Sequence, residues 1–483
     1  MNKLDIWRTA ALLISLAAIP QAAPAQQYEA SDETQMVKIT DATYASLMSR
    51  LENLETALAE NAGKKKDDGW KDVSDEKWNL KWGGRMQFDY YTYAAQNADS
   101  MAIVAAIPNT PPANPTGDAP NYFEARRMRF AVAGEGYGVH YFNFEVDFEV
   151  PANVQMRDCY YGIHHVPLLG DVQFGNFKAP FSLEELVSDN YITCMERSLM
   201  NCLTPQRQVG VAAFNRTESE NITWAYGVFF DSIDQSTKEL VDDRQGTTLV
   251  ARGTWLPYYD EPSHGRYLMH TGIGLRYTDD RDNRITFNTR PETHLGPSFC
   301  GTGQFFGTDY HAVCAEAAMV WGPFSLQSEI TCTRANALGG VLQLDPSVPA
   351  PVHNTVAAAG PLDFYGGYVE ASYFLTGESR PYKRSTGVFD RVKPNTNFWL
   401  VRGAGLGPGA IQLVSRWSYL DTSGTAFALS GTENNVTSGV NWYWNPHLRW
   451  MFEWIHTWNK YDNRPAGFQA ENDLLAVTGR VDW

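Results

Sequence analysis

Along Tyr141–Val150 (YFNFEVDFEV) apolar and polar residues alternate one for one. Phe142, Phe144, Val146, Phe148 and Val150 fall on one side of an extended chain, and Asn143, Glu145, Asp147 and Glu149 on the other. Side chains on a strand point alternately to opposite faces, so the pattern predicts a strand with one apolar and one wet surface. A soluble sandwich strand reads the same way, so the weight lies in repetition. Leu80, Trp82, Met86, Phe88 and Tyr90 oppose Lys81, Arg85, Gln87 and Asp89, and Met128, Phe130 and Val132 oppose Arg127 and Arg129. Copies recur at Trp224–Phe230, Phe324–Thr331, Ile411–Tyr419 and Leu448–Trp454. Stretches rich in Gly, Pro, Asn and Thr separate them, at 101–121, 286–304, 335–361 and 421–435. Short turns alternating with long loops, and Trp and Tyr near strand ends, are marks of a transmembrane antiparallel β-barrel. Hairpins of roughly 50 residues over 78–483 predict about 16 strands.

The chain before residue 78 has other periods. Lys3 and Arg8, the short apolar core Ala10–Ile19 and the small-x-small run Ala23-Pro24-Ala25 read as a secretory signal over 1–25. Val37, Thr40, Tyr44, Leu47, Leu51, Leu54 and Leu58 step by three and four, a heptad seam. This predicts a short periplasmic coiled coil within 26–62 that joins subunits; an amphipathic helix lying on the protein itself is the alternative. A charged linker, 63–77, follows and includes GKKKDDG. The last strand, LAVTGRVDW, ends on Trp483, resembling the terminal aromatic signal of bacterial outer-membrane proteins.

Composition narrows the reading. Aromatics make up 13% of the 483 residues. Mean hydropathy is −0.36, and after residue 20 no apolar run approaches the ~18–20 residues of a membrane helix. A barrel escapes that test because half of each strand faces a polar interior. The net charge of −16 becomes −17 once Lys3, Arg8 and Asp5 are removed with the leader, which argues against nucleic acid as a partner. No GxSxG, HExxH or P-loop pattern is present, so no enzymatic chemistry and no cofactor is expected. The adjacent His164 and His165 face opposite ways on a strand, which opposes joint metal binding. The six cysteines outside the leader form no CxxC and allow 15 pairings, of which Cys194 with Cys202, in one predicted loop, is the favoured one.

The run Val172–Val211, VQFGNFKAPFSLEELVSDNYITCMERSLMNCLTPQRQVGV, resembles the phosphate-selective porin O and P family through GxFKxPF, SLEEL and a YITFMERS-like segment, where Cys194 replaces Phe. LTGESRPYKRSTGVFDRVKP and NVTSGVNWYWNP are similar to two further family segments. The resemblance implies a homotrimer of 16-stranded barrels in the bacterial outer membrane, in contact with its lipid, that passes small inorganic anions or other small solutes. It also implies that the loop 179–208 folds inward and narrows the pore. The residues point the same way: Pro180 lacks an amide donor and ends the strand, and Ser182 with Glu185 three residues on forms a capping box for a short helix. A lid over the barrel mouth is the alternative.

A pore selects ions by its width and by the charges at its narrowest ring. The resemblance assigns Lys178 as the anion-binding lysine, with Arg197 and Arg207 as loop contributors and Arg126-Arg127 as an early-strand pair. By alternation Arg127 and Arg129 point inward and Arg126 toward lipid near a rim, while Arg85, Arg416 and Arg480 are inward. Each arginine has a plainer role, pairing with a lumen carboxylate to hold the wall, and Glu145, Asp147 and Glu149 supply such partners. Three inward acids on one strand oppose a purely anion-selective tube. The second function expected is structural: a protein that tethers the envelope through its N-terminal coil.

Overall fold

The computed structural model describes residues 78–106, 116–150, 154–231, 245–341, 355–356, 359–401, 405–423 and 429–483. The chain divides into two units, Met1–Glu76 and Lys77–Trp483. The leader, coil and linker expected over 1–77 lie outside the described residues.

Seventeen strands join in one antiparallel sheet, and one of them, Arg284–Thr289, pairs only with the overhanging start of a longer strand. The other sixteen form the wall. They are β1 (Asn79–Gln96), β2 (Tyr122–Gly136), β3 (His140–Asp147), β4 (Gln155–Val166), β5 (Gly170–Lys178), β6 (Arg207–Arg216), β7 (Ile222–Phe230) and β8 (Thr247–Tyr259). The series continues with β9 (Tyr267–Asp279), β10 (Cys300–Trp321), β11 (Phe324–Ala337), β12 (Gly360–Phe374), β13 (Ala410–Asp421), β14 (Gly431–Asn445), β15 (Leu448–Tyr461) and β16 (Gln469–Asp482). Each strand pairs with its sequence neighbours, and β1 pairs with β16, with Met86 opposite Val481. The sheet is therefore a closed cylinder without an edge. At the seam the Gly84 and Trp483 backbones exchange hydrogen bonds of 3.3 and 3.1 Å. A Cβ on Gly83 would lie 2.4 Å from the Trp483 carbonyl oxygen, so the seam needs glycine there.

The wall is apolar outside: Trp82, Phe88, Phe130, Phe144, Trp224, Trp417 and Phe452 are exposed. Gln87, Asp89, Gln412, Ser418, Asn441 and Thr478 are buried on the inner side. Only a lipid-facing exterior makes this inversion favourable. The opening strand is shorter than its alternation implied. β3 stops at Asp147, and Phe148 donates its amide to the Met128 carbonyl instead. The expected loops also carry structure: 101–121 begins inside helix α1 (Ala98–Ala106), 286–304 contains most of the short extra strand, 335–361 contains a ladder of Gly340–Val341 with Thr355–Val356, and 421–435 contains the start of β14.

Short turns such as 137–139, 322–323 and 446–447 close one end, and longer connections lie at the other. The turn-side segment 375–409 is the exception. Inside the barrel, Leu183, Val187 and Ile192 of the β5–β6 loop pack with Leu268, Val320 and Phe389, the last from segment 375–409. Leu199 and Leu203 pack with Phe287, Phe305, Phe364 and Leu420. These inward apolar residues break the polar-inside rule because they anchor segments that fold in. Each buried leucine contributes on the order of 2 kcal/mol.

Candidate functional site

The β5–β6 connection leaves the wall at Lys178 and returns at Arg207. Within it, helix α2 (Leu183–Leu186) is capped by Ser182, whose Oγ accepts from the Glu185 amide at 3.3 Å. The capping box is half formed, since the Glu185 side chain turns to Arg197, at 3.0 Å. Glu329 on β11 takes its place. It accepts from Ser182 Oγ at 2.8 Å and from the Leu183 and Glu184 amides at 2.9 and 2.7 Å, and Tyr368 Oη donates to it at 2.6 Å. The far wall supplies further anchors. Arg416 reaches Glu184 at 3.1 Å and Glu292 at 2.7 Å. Met195 donates its amide to Glu453 at 2.7 Å. Burial pushes the Glu184 carboxyl above its usual range, against the pull of Arg416 and Ser198.

The near wall is basic, and its centre is Asp189. Arg197 approaches Asp189 to 2.6 Å, Arg127 to 3.2 Å, Arg129 to 3.4 Å, Arg85 to 3.7 Å and Lys178 to 4.0 Å. Burial pushes the Asp189 carboxyl up, but Arg127, Arg197, Lys178 and Arg129 outweigh it and hold it well below the carboxylate range. The same five cations share three more acids: Glu145 with Arg85 and Arg129, Asp147 with Arg129, and Glu185 with Lys178 and Arg197. Arg480 donates to the Asp189 and Met195 carbonyls, and Arg449 to that of Ile192. Among the described residues no carboxylate lies within 4 Å of either. Seven cations thus meet four carboxylates on this side, an excess of three positive charges. On the far side Glu184, Glu292, Glu316, Glu329, Glu370 and Glu453 outnumber Arg252, Arg380 and Arg416. The loop therefore separates a basic from an acidic wall, and the inward acids of β3 serve as partners of the basic one.

Within this wall the side chains differ in access to water. Arg127 and Arg129 are buried, as is Arg416 on the far side, whereas Lys178, Arg197 and Arg207 keep about a tenth of their surface open. Lys178 also donates to the Glu185 and Val187 carbonyls at 2.5 and 3.2 Å. Arg207 forks onto Asp158 at 2.8 and 3.2 Å. Glu149 lies 3.9 Å from Arg157.

Two placements differ from the sequence reading, and a third was not read from the sequence at all. Arg126 does not face lipid. The β1–β2 register slips by one residue between Gln87 and Asp89, so Phe88 faces both Ala125 and Arg126. This bulge turns Arg126 inward, onto Glu196 at 2.6 Å. Burial raises the Glu196 carboxyl, but Arg126 and Arg127 pull it down to about 2. A second bulge, opposite Phe144 to Val146, brings both Arg157 and Asp158 to the lumen, residues that strict alternation cannot both place there. All six cysteines are free thiols, so the favoured Cys194–Cys202 bridge is absent: Cys194 lies instead against Glu370, 3.7 Å away.

Segment 375–409 also contributes to the site, although the sequence reading assigned it no such role. Arg380 reaches Gln327 at 2.8 Å and Glu370 at 3.5 Å, and the Gly387 carbonyl accepts from Arg252 at 3.0 Å. Its basic run, RPYKR, is the available sequence signal.

Comparison with known proteins adds to this geometry. A family model described as phosphate-selective porin O and P matches residues 111–482. Porin O of Pseudomonas aeruginosa is 23% identical over 356 residues, 67% of this chain and 70% of that protein. An uncharacterized protein of Caulobacter vibrioides is 27% identical over 340 residues, 68% of this chain, and the match spans 61% of that relative's length. Among solved structures, an anion-selective porin from Comamonas acidovorans has a TM-score of 0.49 at 10% identity, over 84% of this chain and all of that one. The outer membrane channel DcaP of Acinetobacter baumannii has a TM-score of 0.48 at 9% identity, over 86% of this chain and 99% of that one.

Proposed function

The chain belongs to the phosphate-selective porin O and P family, and from that premise we propose that it passes small anions, phosphate among them, through a passage narrowed by the β5–β6 loop. It is an outer-membrane porin, and its barrel lies in the bacterial outer membrane. The observation that carries the anion preference is the convergence of Arg85, Arg127, Arg129, Lys178 and Arg197 on the single carboxylate of Asp189. An anion entering from the lumen side meets the open faces of Lys178, Arg197 and Arg207, backed by buried Arg127 and Arg129. In a low-dielectric wall each of these charges counts for more than in water, and the chain's net charge is screened beyond about 10 Å. Lys178 acts as the anion-binding lysine, and segment 375–409 narrows the passage from the turn side. The barrels assemble as a homotrimer, and residues 26–62 form a short coiled coil that joins the subunits.

Planar-bilayer recording tests this reading. Stepwise conductance with a reversal potential of anion-selective sign in a potassium chloride gradient is expected, and phosphate is expected to reduce the chloride current. Lys178→Gln lowers the anion preference. A cation-selective wild type, or a Lys178→Gln channel with unchanged preference, removes the assignment. The heptad at Val37–Leu58 favours a second, compatible role in tethering the envelope. Deleting 26–62 then weakens envelope attachment and leaves conductance intact.

A further inference from the structure

We propose that Glu124, Glu149 and His294 form a binding site for a divalent transition-metal ion, of the zinc type, at the long-loop mouth of the barrel. The three residues come from separate places: Glu124 from the start of strand β2, Glu149 from the β3–β4 connection and His294 from the β9–β10 connection. Their candidate ligand atoms all lie within 4.8 Å of one another. His294 Nδ1 is 2.6 Å from Glu124 Oε2 and 3.7 Å from Glu149 Oε1. Tetrahedral zinc with bonds of ~2.0–2.1 Å sets neighbouring ligand atoms about 3.3 Å apart, between those two distances.

Three observations separate this cluster from an ordinary group of surface acids. Glu124 is more than nine-tenths buried, and its Oε1 has no hydrogen-bond partner, although its carboxylate lies in the cluster. Leaving a buried carboxylate oxygen unpaired costs on the order of 1–3 kcal/mol, and an ion held across both oxygens, Oε2 beside His294 and Oε1 otherwise unpaired, removes that cost. His294 is held by its backbone: its amide donates to Tyr122 Oη at 3.2 Å, and its carbonyl accepts from Arg290 Nη1 at 2.6 Å. The main chain that carries the imidazole is thus fixed before any ion arrives, and with about a quarter of its side chain exposed His294 is reachable from water. The neighbouring cation does not take the ligand position. Arg126 lies 3.7 Å from Glu149 Oε2, the other oxygen, and is itself held by Glu196 at 2.6 and 3.3 Å.

One imidazole nitrogen and two carboxylates, with water as fourth ligand, suit zinc better than calcium or magnesium, which take oxygen ligands alone. The bound ion stitches the β9–β10 connection, whose Phe287 packs against the interior loop segment, to β2 and the β3–β4 connection. It therefore stiffens the mouth above the basic wall. Spacings of 25 and 145 residues carry no zinc motif, which is why a scan of the sequence finds nothing there.

The experiment is calorimetric titration of zinc chloride into the full-length protein, purified in detergent and stripped with a chelator. Saturable binding of one ion per chain is expected, undisturbed by a hundredfold excess of calcium and weakened at least tenfold in both His294→Ala and Glu149→Gln. His456→Ala, which alters a histidine paired with Asp473 elsewhere on the wall, binds like the parent. The heat-modifiable band of each variant on unheated gels verifies its fold. No saturable binding, binding displaced by calcium, or binding unchanged in both site variants overturns the proposal.

Discussion

Asp189→Asn is the substitution that most directly tests how the wall selects ions. Asp189 is the one acid shared by five cations at 2.6–4.0 Å. The change keeps the side chain's size and raises the local excess of positive charge from three to four. An anion seated on the lumen side of those cations, two contact lengths of ~3 Å away, is about 6 Å from the Asp189 carboxylate. Removing the repulsion at ~6 Å is worth about 0.7 kcal/mol at the dielectric of water and about 2.8 kcal/mol at an effective value near 20. At 1.4 kcal/mol per factor of ten, the smaller figure gives roughly a threefold gain in anion-to-cation permeability and the larger one roughly a hundredfold. Screening at 0.1 M salt, with a length of about 10 Å, leaves roughly half of this energy, about a twofold gain from the smaller figure.

The assay is the reversal potential across a planar bilayer in a salt gradient, with single-channel conductance read beside it. A shift toward anions of at least twofold in permeability ratio, at unchanged conductance, is expected. The carboxylate also clamps the loop through Arg197, and breaking a buried pair costs on the order of 3–5 kcal/mol, so Asp189→Glu is the control that keeps the charge. If Asp189→Asn gives a larger conductance and weaker selectivity while Asp189→Glu does not, the carboxylate is a clamp and not a charge in the path. If neither quantity moves, the passage lies elsewhere.

Other outcomes follow from the anchors. Glu329→Ala removes an acceptor that holds Ser182, two backbone amides and Tyr368. With charge-assisted hydrogen bonds at about 1.5–3 kcal/mol each, the loop start is released, and conductance fluctuations and protease cleavage within 179–206 rise while the barrel persists. Arg416→Met strands Glu184 and Glu292, both buried, and lowers the temperature at which the folded band is lost on unheated gels. Deleting Trp483 removes the backbone pair with Gly84 and the ring beside it, so recovery of folded barrel after export falls. Reducing agent leaves mobility and conductance unchanged, because the six thiols are unpaired.

The wall was legible because membrane and lumen impose opposite demands on alternate residues, and a strand such as β13 obeys both: Leu413 and Trp417 are exposed, Gln412, Arg416 and Ser418 buried. The start of the inward loop was legible because Pro180 and Ser182 act locally. Its reciprocal anchor was not, since Glu329 lies 147 residues from Ser182 and reads along the chain only as another inward polar residue. The interior apolar clusters were hidden for the same reason: Phe305, Phe364 and Leu420 break alternation only because Leu199 and Leu203 arrive from elsewhere to cover them.

Arg126 shows the limit most sharply, and it yields a test in which one substitution has opposite signs in two backgrounds. The β2 bulge places Ala125 and Arg126 opposite the single residue Phe88. Deleting Ala125 restores strict alternation, keeps Glu124 and Arg127 inward and turns Arg126 to the lipid. That exposure costs up to about 2–4 kcal/mol at mid-membrane and about 0–1 kcal/mol near an interface, and it leaves Glu196 without its bidentate partner. In the deletion background Arg126→Leu removes a cation from lipid, so recovery of folded barrel, scored as the heat-modifiable band, rises. In the parent the same substitution removes a buried ion pair, and recovery falls. If Arg126→Leu acts in the same direction in both backgrounds, the bulge does not set the orientation of Arg126, and the inward placement of Arg157 and Asp158, which rests on the same argument, fails with it.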